Sequence, residues 1–179
     1  MALMQIELRD KPFSSFEELV VFQQRLPRPE ACGACSVFIG TMRDYNDGDR
    51  VLSMHLEHYP GMTEKQLEEI VNEAGQHYEL LEGLLLHRVG TVQPGEDIVL
   101  VSVWATHRKD AFGACRTIME ALKSTAPFWK KEQLQNEDRW VKNNTPGPYF
   151  VRFQIFIICS NISYMRKCKI YYLSSIRWI

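Results

Sequence analysis

Several common features are absent from this sequence. It opens without a basic segment followed by an apolar stretch, so no secretory signal is predicted, and its five cysteines are an odd number. Cys32 and Cys35 form a Cys-X-X-Cys pair, but no second such pair exists to complete a zinc site. The net charge of -1 lacks the positive excess of a nucleic-acid-binding protein. We therefore expect a cytoplasmic protein with incidental cysteines, no metal and no nucleic-acid partner.

Acidic residues are also absent from the end of the chain. Residues 146–179 contain no acid and five basic residues, which are Arg152, Arg166, Lys167, Lys169 and Arg177. The apolar stretch from Phe153 to Cys159 is too short to span a bilayer, so no membrane insertion is expected. The 179 residues, 45% of them hydrophobic, can bury one sizeable core. We predict one domain over residues 1–145 and an atypical basic, apolar tail over residues 146–179.

Hydrophobic periodicity predicts helices that alternate with strands. Capping patterns begin two helices, Ser15 with Glu18 and Thr63 with Gln66, and Asp110 can cap a third. Strand patterns cover residues 34–40, 51–58, 84–89 and 98–105, and residues 44–50 form a turn-rich loop. Three- and four-residue spacing predicts the inner helix faces: Phe16, Leu19 and Val20; Leu67, Ile70, Val71, Ala74 and Tyr78; Phe112, Cys115, Ile118, Met119 and Leu122. This order predicts an α+β domain with a mixed, mostly antiparallel sheet.

Residues 110–132 gather lysines around the end of the third helix. Lys123 falls in its last turn, and Pro127 ends it, so Lys130 and Lys131 follow in extended chain. Neighbouring ammonium groups lower one another's pKa values, which makes a neutral amine more accessible as base or nucleophile. Lysines at a helix C-terminus are also commonly solvated groups that favour the helix dipole. Spacing alone leaves both interpretations open.

Further cations and histidines have two possible interpretations. His107 and Arg108 stand where a strand meets the third helix and could bind an anion there, although Arg108, like Arg43, could equally form a surface ion pair. His55 and Glu57 are metal-ligand types, but a strand would point them away from His58, so no metal site is predicted. Two isolated histidines, His77 and His87, are assigned no role.

Six short strings in order and spacing carry a family resemblance. They are GTMRDYNDGD (40–49), LEHYPGMTEK (56–65), HRVG (87–90), ATHRKDAF (105–112), LKSTAPFWKKE (122–132) and DRW (138–140). Together they resemble the large, catalytic subunit family of bacterial molybdopterin synthase over residues 13–141. The tail over residues 146–179 departs from that family's pattern.

The resemblance implies a specific sulfurtransferase reaction. Two sulfur atoms pass to cyclic pyranopterin monophosphate and form the dithiolene of molybdopterin, in molybdenum cofactor biosynthesis. The sulfur arrives as the C-terminal thiocarboxylate of a small ubiquitin-like subunit. The implied assembly is a heterotetramer built on a homodimer of large subunits, with no cofactor. The implied fold is of the α/β-hammerhead type.

The resemblance also assigns roles to residues of this chain. Lys123 and Lys130 match the two catalytic lysines. The implied substrate-binding residues are Thr41, Met42, Arg43, His107, Arg108, Lys131 and Glu132. These assignments agree with the chemistry, because opening a cyclic phosphate requires groups that stabilise phosphate charge and move protons.

Two functions from other classes stay open at this point. A non-catalytic module could use the same basic pocket to hold a phosphorylated small molecule or a partner's carboxylate terminus. A membrane-peripheral protein could use the basic, aromatic tail to contact anionic lipid.

Overall fold

The chain of this computed structural model is described for residues 3–141. The predicted tail over residues 146–179 lies outside the described residues. The described residues form β1 (Leu3–Arg9), α1 (Ser15–Gln23), β2 (Ala34–Thr41), β3 (Tyr45–Asn46), β4 (Asp49–His58), α2 (Met62–His77), β5 (Leu80–Arg88), β6 (Gly90–Val92), β7 (Asp97–Ala105), α3 (Arg108–Ser124), β8 (Phe128–Leu134) and β9 (Asp138–Trp140).

The first sheet separates two apolar layers. Its strand order is β1-β5-β7-β2, with β1 and β5 parallel and the other neighbours antiparallel. Successive strand residues point to opposite faces, so each strand can supply both layers. Helices α2 and α3 cover one face, in a core that includes Leu67, Ile70, Leu85, Val101 and Ile118. Helix α1 covers the other face, where Leu19 and Phe22 pack on Leu84, Leu86 and Leu100.

The second sheet supplies the wall on which the lysines of β8 lie. Its order is β3-β4-β8-β9, and β6 also pairs with β4, at Met54 to Leu56. Leu56 pairs with Lys130 and Met54 with Glu132, so these side chains share one face of the sheet. Leu56 and Met54 belong to a small core on that face.

A tight hairpin replaces the loop that was predicted over residues 44–50. Asp47 and Gly48, with φ of 51° and 94°, form the two-residue turn between β3 and β4. Turns of this kind need positive φ at both central residues, which aspartate tolerates and glycine adopts freely. The hairpin brings Asn46 back against β8.

The predicted fold class is confirmed, whereas four strands were not predicted. The four predicted strands correspond to β2, β4, β5 and β7, and the three predicted helices are present. The strands that were not predicted are β1, β3, β6 and β9. Strands of three residues, such as β6 and β9, carry too few residues for period-two alternation to register.

The predicted helix starts are each wrong by one to three residues. Ser14, rather than Ser15, caps α1, and its hydroxyl accepts from the amide of Glu17 at 3.4 Å. Helix α2 starts at Met62, where the Glu64 carboxylate accepts from the amide of Gly61 at 2.6 Å. Helix α3 starts at Arg108, and Asp110 lies in its first turn. Several adjacent polar residues could cap each helix, and the sequence does not rank them.

Three predicted inward residues are exposed instead. Phe16 is 73% exposed, Val20 54% and Phe112 65%. In α1 the inward side is formed by Leu19 and Phe22, and in the first turn of α3 Ala111 takes the buried position. Within residues 3–141, no helix is long and apolar enough to cross a membrane.

Candidate active site

A cleft of about 300 Å³ opens between the end of α3 and the second sheet. Its apolar wall includes Phe38, Val99, Met119, Leu122 and Phe128. Its polar groups come from the end of β2, the β3–β4 hairpin, the last turn of α3, and β5 and β8. The cleft is therefore built where the two sheets and one helix end meet.

The two lysines predicted from the sequence lie together at this cleft. Lys123 occupies the last turn of α3, and the chain returns past Pro127 as β8, which carries Lys130. Burial lowers the pKa of Lys130, and the nearby Lys123 ammonium lowers it further, whereas Glu132 opposes the shift. Lys130 therefore loses its proton more readily than an ordinary lysine.

Strand alternation separates Lys131 from its two neighbours. Lys130 and Glu132 line the cleft, whereas Lys131 is paired across β8–β9 with Trp140 and forms a 2.8 Å ion pair with Asp138. Neighbours in a strand point to opposite faces. The structure therefore does not bring Lys131 into the cleft of its own chain.

The Glu132 carboxylate is buried and held by two partners. Its Oε1 accepts from Asn46 Nδ2 at 2.8 Å, and its Oε2 accepts from Arg139 Nη2 at 3.0 Å. Arg139 also donates to Asp49 at 2.8 Å. This network ties the β3–β4 hairpin to β8 and β9. Glu132 thus fixes the floor of the cleft and supplies a negative charge beside Lys130.

The predicted residues at the end of β2 all line the cleft. Thr41 and Arg43 are exposed. Met42, which stands between them in the sequence, is buried in the small core that contains Met54 and Leu56. The backbone of Met42 is anchored, since its amide donates to Glu96 at 2.9 Å and its carbonyl accepts from Gly95 at 2.8 Å. Arg43 is therefore presented to the cleft from a fixed segment.

His107 and Arg108 lie at the opposite end of α3 from the lysines. The helix contains 17 residues, and at 1.5 Å per residue it is about 25 Å long. Neither residue lines the cleft. Within one chain, the structure does not bring His107 and Arg108 together with Lys123.

Sequence reasoning assigned no role to His87, which the structure places at the cleft. The residue is 7% exposed, and its ring stacks on Phe128 with 3.9 Å between ring centroids and 8° between planes. Burial lowers the pKa of His87 to about 4; a hydrogen bond to the Arg88 backbone opposes this shift, and the charge of Lys130 adds to it. The HRVG string was a usable signal, because it lies among the segments that the family resemblance shares.

The three cysteines within residues 3–141, Cys32, Cys35 and Cys115, are free and poorly suited to nucleophilic chemistry. Burial, with contributions from Cys115 and Cys32, raises the pKa of Cys35 to about 11. Burial also raises the pKa of Cys115 and of Cys32. Thiols with raised pKa values stay protonated near neutral pH. Among residues 3–141, no cluster of three or more histidine, cysteine, aspartate or glutamate side chains could hold a metal ion.

Comparison with known proteins gives one consistent family. A sequence model described as "MoaE protein" matches residues 9–125. Proteins named molybdopterin synthase catalytic subunit are 56% identical in Ralstonia nicotianae, over 65% of this chain and 66% of the relative, and 46% identical in Haemophilus influenzae, over 77% and 89%. The Escherichia coli relative is 44% identical over 79% of this chain and 92% of its own length.

Solved structures agree with these sequence matches. The molybdopterin biosynthesis MoaE protein from Burkholderia ambifaria superposes with a TM-score of 0.63 at 42% identity, covering 79% of this chain and 89% of that chain. The molybdopterin synthase from Staphylococcus aureus gives a TM-score of 0.68 at 29% identity, covering 76% and 96%. The fold and the sequence therefore indicate the same family.

Proposed function

This chain belongs to the MoaE protein family, and from that premise we propose that it acts as the catalytic subunit of a molybdopterin synthase. It is an enzyme that transfers two sulfur atoms to cyclic pyranopterin monophosphate, forming the molybdopterin dithiolene. The observation that carries the proposal is that Lys123 lies in the same cleft as Lys130, which is half-buried and has a lowered pKa. The relatives are named catalytic subunits, and this name together with the cleft favours an enzyme over a module that only binds.

Lys130 is suited to moving protons during sulfur transfer. A thiocarboxylate sulfur attacks the substrate and a phosphate ester oxygen leaves, and water then cleaves the bond between that sulfur and the carrier's carbonyl carbon. Protons must be accepted and returned near the reacting carbons in both steps. A lysine with a lowered pKa can exist as the neutral amine at a lower pH than usual, and its protonated form can then donate. The Glu132 charge keeps this pKa from falling further. We assign Lys130 the proton-transfer role.

Lys123 and Arg43 are suited to holding negative charge. Both line the cleft, and Lys123 lies in the last turn of α3. The substrate phosphate and the thiocarboxylate terminus are both anions, and cations in a partly enclosed cleft stabilise charge that develops on an oxygen. A guanidinium can hold phosphate with two parallel hydrogen bonds. We assign Arg43 to the phosphate and Lys123 to the sulfur-carrying terminus, with Thr41 and Met42 shaping the wall between.

His107 and Arg108 fit the site if a second copy supplies them. The length of α3 separates them from Lys123 in one chain, so contact with the same substrate requires another subunit. A homodimer, with one small sulfur-carrier subunit bound to each copy, meets that requirement. We propose this heterotetramer as the working assembly and the cytoplasm as its location.

The direct test is product formation by the purified chain. The chain is mixed with cyclic pyranopterin monophosphate and a small subunit that ends in a thiocarboxylate, and the dithiolene product is quantified. The matched control uses the same small subunit with an ordinary carboxylate terminus, which can bind but carries no sulfur. Product with the first and none with the second is expected. No product from either, with the small subunit bound, would refute the proposed function.

A further inference from the structure

The buried His87 lines the cleft, and the mechanism above assigns it no task. The cations of the cleft, Lys123, Lys130 and Arg43, can donate hydrogen bonds when protonated, but none of them then accepts one. The Glu132 carboxylate could accept, but its Oε1 is engaged by Asn46 and its Oε2 by Arg139. A substrate that offers N–H or O–H groups as well as phosphate needs acceptors too. The hydroxyls of Thr41 and Tyr45 also line the cleft but belong to exposed residues, whereas His87 is a buried residue whose ring can accept.

The hydrogen bond of His87 determines which ring nitrogen accepts. Nδ1 lies 2.7 Å from the backbone carbonyl oxygen of Arg88. A carbonyl can only accept, so Nδ1 carries the proton. In a neutral ring Nε2 then holds the lone pair, and it is the nitrogen left for a ligand in the cleft that the ring lines.

Packing fixes the direction in which that lone pair points. The His87 ring lies parallel to the Phe128 ring, 3.9 Å from it, and this stack joins β5 of the first sheet to the start of β8 in the second. The hydrogen bond between Nδ1 and the Arg88 carbonyl oxygen restrains rotation of the imidazole ring. A side chain fixed by both a stack and a hydrogen bond loses little freedom when it binds a ligand.

We propose that His87 Nε2 is a substrate-positioning hydrogen-bond acceptor, which receives an N–H or O–H donor of the heterocyclic substrate while the cations hold its phosphate. The inference rests on the proposed function, because that function supplies a substrate with both kinds of group: pterin rings carry N–H donors, and the phosphate is anionic. It adds selection by the heterocycle to selection by charge. A phosphate compound without a donor at that place leaves a buried acceptor unsatisfied and binds less well.

The charges around His87 keep it in the accepting form. Lys130 faces it from β8, Lys123 approaches from the end of α3, and Glu132 lies farther along β8 with its charge engaged by Arg139. Burial and the Lys130 charge lower the pKa of His87 to about 4, so the ring is neutral at neutral pH. A protonated ring would instead be a donor at both nitrogens.

Two substitutions separate the acceptor from the ring. His87→Phe keeps a stacking ring and removes the acceptor, and its KM for cyclic pyranopterin monophosphate is expected to rise roughly 10- to 100-fold, as for loss of a hydrogen bond that leaves a buried partner unsatisfied. His87→Gln retains an amide oxygen that can accept, and we expect it to recover most of the loss. His77→Phe, at the end of α2 and away from the cleft, is the matched control. Melting temperatures identify any variant that fails to fold.

Nitrogen NMR of the wild-type imidazole tests the inference without turnover. The expected spectrum shows His87 protonated at Nδ1, with an Nε2 resonance that shifts when the pterin substrate is added and stays unchanged with inorganic phosphate alone. A proton on Nε2, or a wild-type KM in His87→Phe with normal wild-type turnover, overturns the inference and leaves the proposed function standing. Failure of the wild type to form product refutes the proposed function and, with it, the substrate that this inference names.

Discussion

At the scale of single residues, the environment of Lys130 determines what the cleft can do. Its side chain lies between one cation and one anion, Lys123 and Glu132, which act on its pKa in opposite directions. The sequence predicted that Lys123 and Lys130 would lie near each other, because a helix end and a proline break restrict the path of the chain. It did not predict the degree of burial, which depends on β4 and the hairpin.

Replacing each neighbour should shift the pKa of Lys130 in opposite directions. Lys123→Met removes a like charge, so protonation becomes easier and the pKa of Lys130 rises. Glu132→Gln removes the favourable charge, so the pKa falls. NMR titration of isotope-labelled lysine side chains measures both. Shifts of the same sign in the two variants would contradict this electrostatic account.

His87 predicts a pH dependence of stability. Its pKa is about 4 in the folded protein against 6.5 in the unfolded chain, so folding favours the neutral ring. Above pH 6.5 the free energy of unfolding has its full value with respect to His87. It decreases as the pH falls from 6.5 to 4, by about 3 kcal/mol in total. Urea unfolding of wild type and His87→Phe across this range isolates the effect from that of the carboxylates. Parallel curves for the two proteins would show that His87 titrates normally.

His87 also shows why part of the site escaped the sequence analysis. A lone histidine in an apolar strand resembles an ordinary core residue, and its tautomer and its stack on Phe128 depend on contacts between two sheets. Lys131 shows the converse. A string of matching letters includes it, yet strand alternation turns it toward Asp138. Side-chain direction needs the register of β8, which the letters alone do not give.

At the scale of elements, the packing of α2 against α3 determines the position of Lys123. The end of α2 packs closely on α3 at Gly113, where an added Cβ would lie 2.3 Å from the ring of Tyr78, the residue that follows α2. The inner faces of both helices were predicted correctly except at Phe112, because the repeat of apolar residues is regular over four turns. Their starts were not, since a cap depends on the local path of a few residues.

Two glycine substitutions test this helix contact. Alanine normally favours a helix over glycine by about 1 kcal/mol. Gly75→Ala in α2, where an added Cβ meets nothing within 4 Å, is expected to stabilise the protein by about that amount. Gly113→Ala should instead destabilise it, because the Tyr78 ring must move. Chemical unfolding of both variants gives the comparison, and equal stabilisation by both would show that α2 and α3 are not packed this closely.

At the scale of the whole molecule, residues 3–141 contain both sheets and all three of the described α-helices. We propose residues 1–145 as the domain on that basis. The fold class followed from the order of elements, whereas the division into two sheets did not, because the partners of β4 and β8 are distant in sequence. The separation of His107 and Arg108 from the lysines is the feature at this scale that bears on function.

Subunit mixing tests whether Arg108 acts from a second copy. Lys123→Ala and Arg108→Ala are each expected to be nearly inactive alone. After the two are mixed and exchanged, half of the dimers are mixed and each carries one intact site, so about one quarter of wild-type activity should return. Exchange is verified with differently tagged chains. If both residues act within one chain, mixing restores nothing.

The most direct test of the central claim is single-turnover formation of the dithiolene by lysine variants. Wild type, Lys123→Ala, Lys130→Ala and Lys131→Ala are compared with a thiocarboxylated small subunit and cyclic pyranopterin monophosphate. We expect the first two variants to lose roughly 100-fold or more in rate, as for removal of a proton-transferring or charge-stabilising group, and Lys131→Ala to stay near wild type. Wild-type rates in Lys123→Ala and Lys130→Ala would contradict the assignment of this cleft as the site of sulfur transfer.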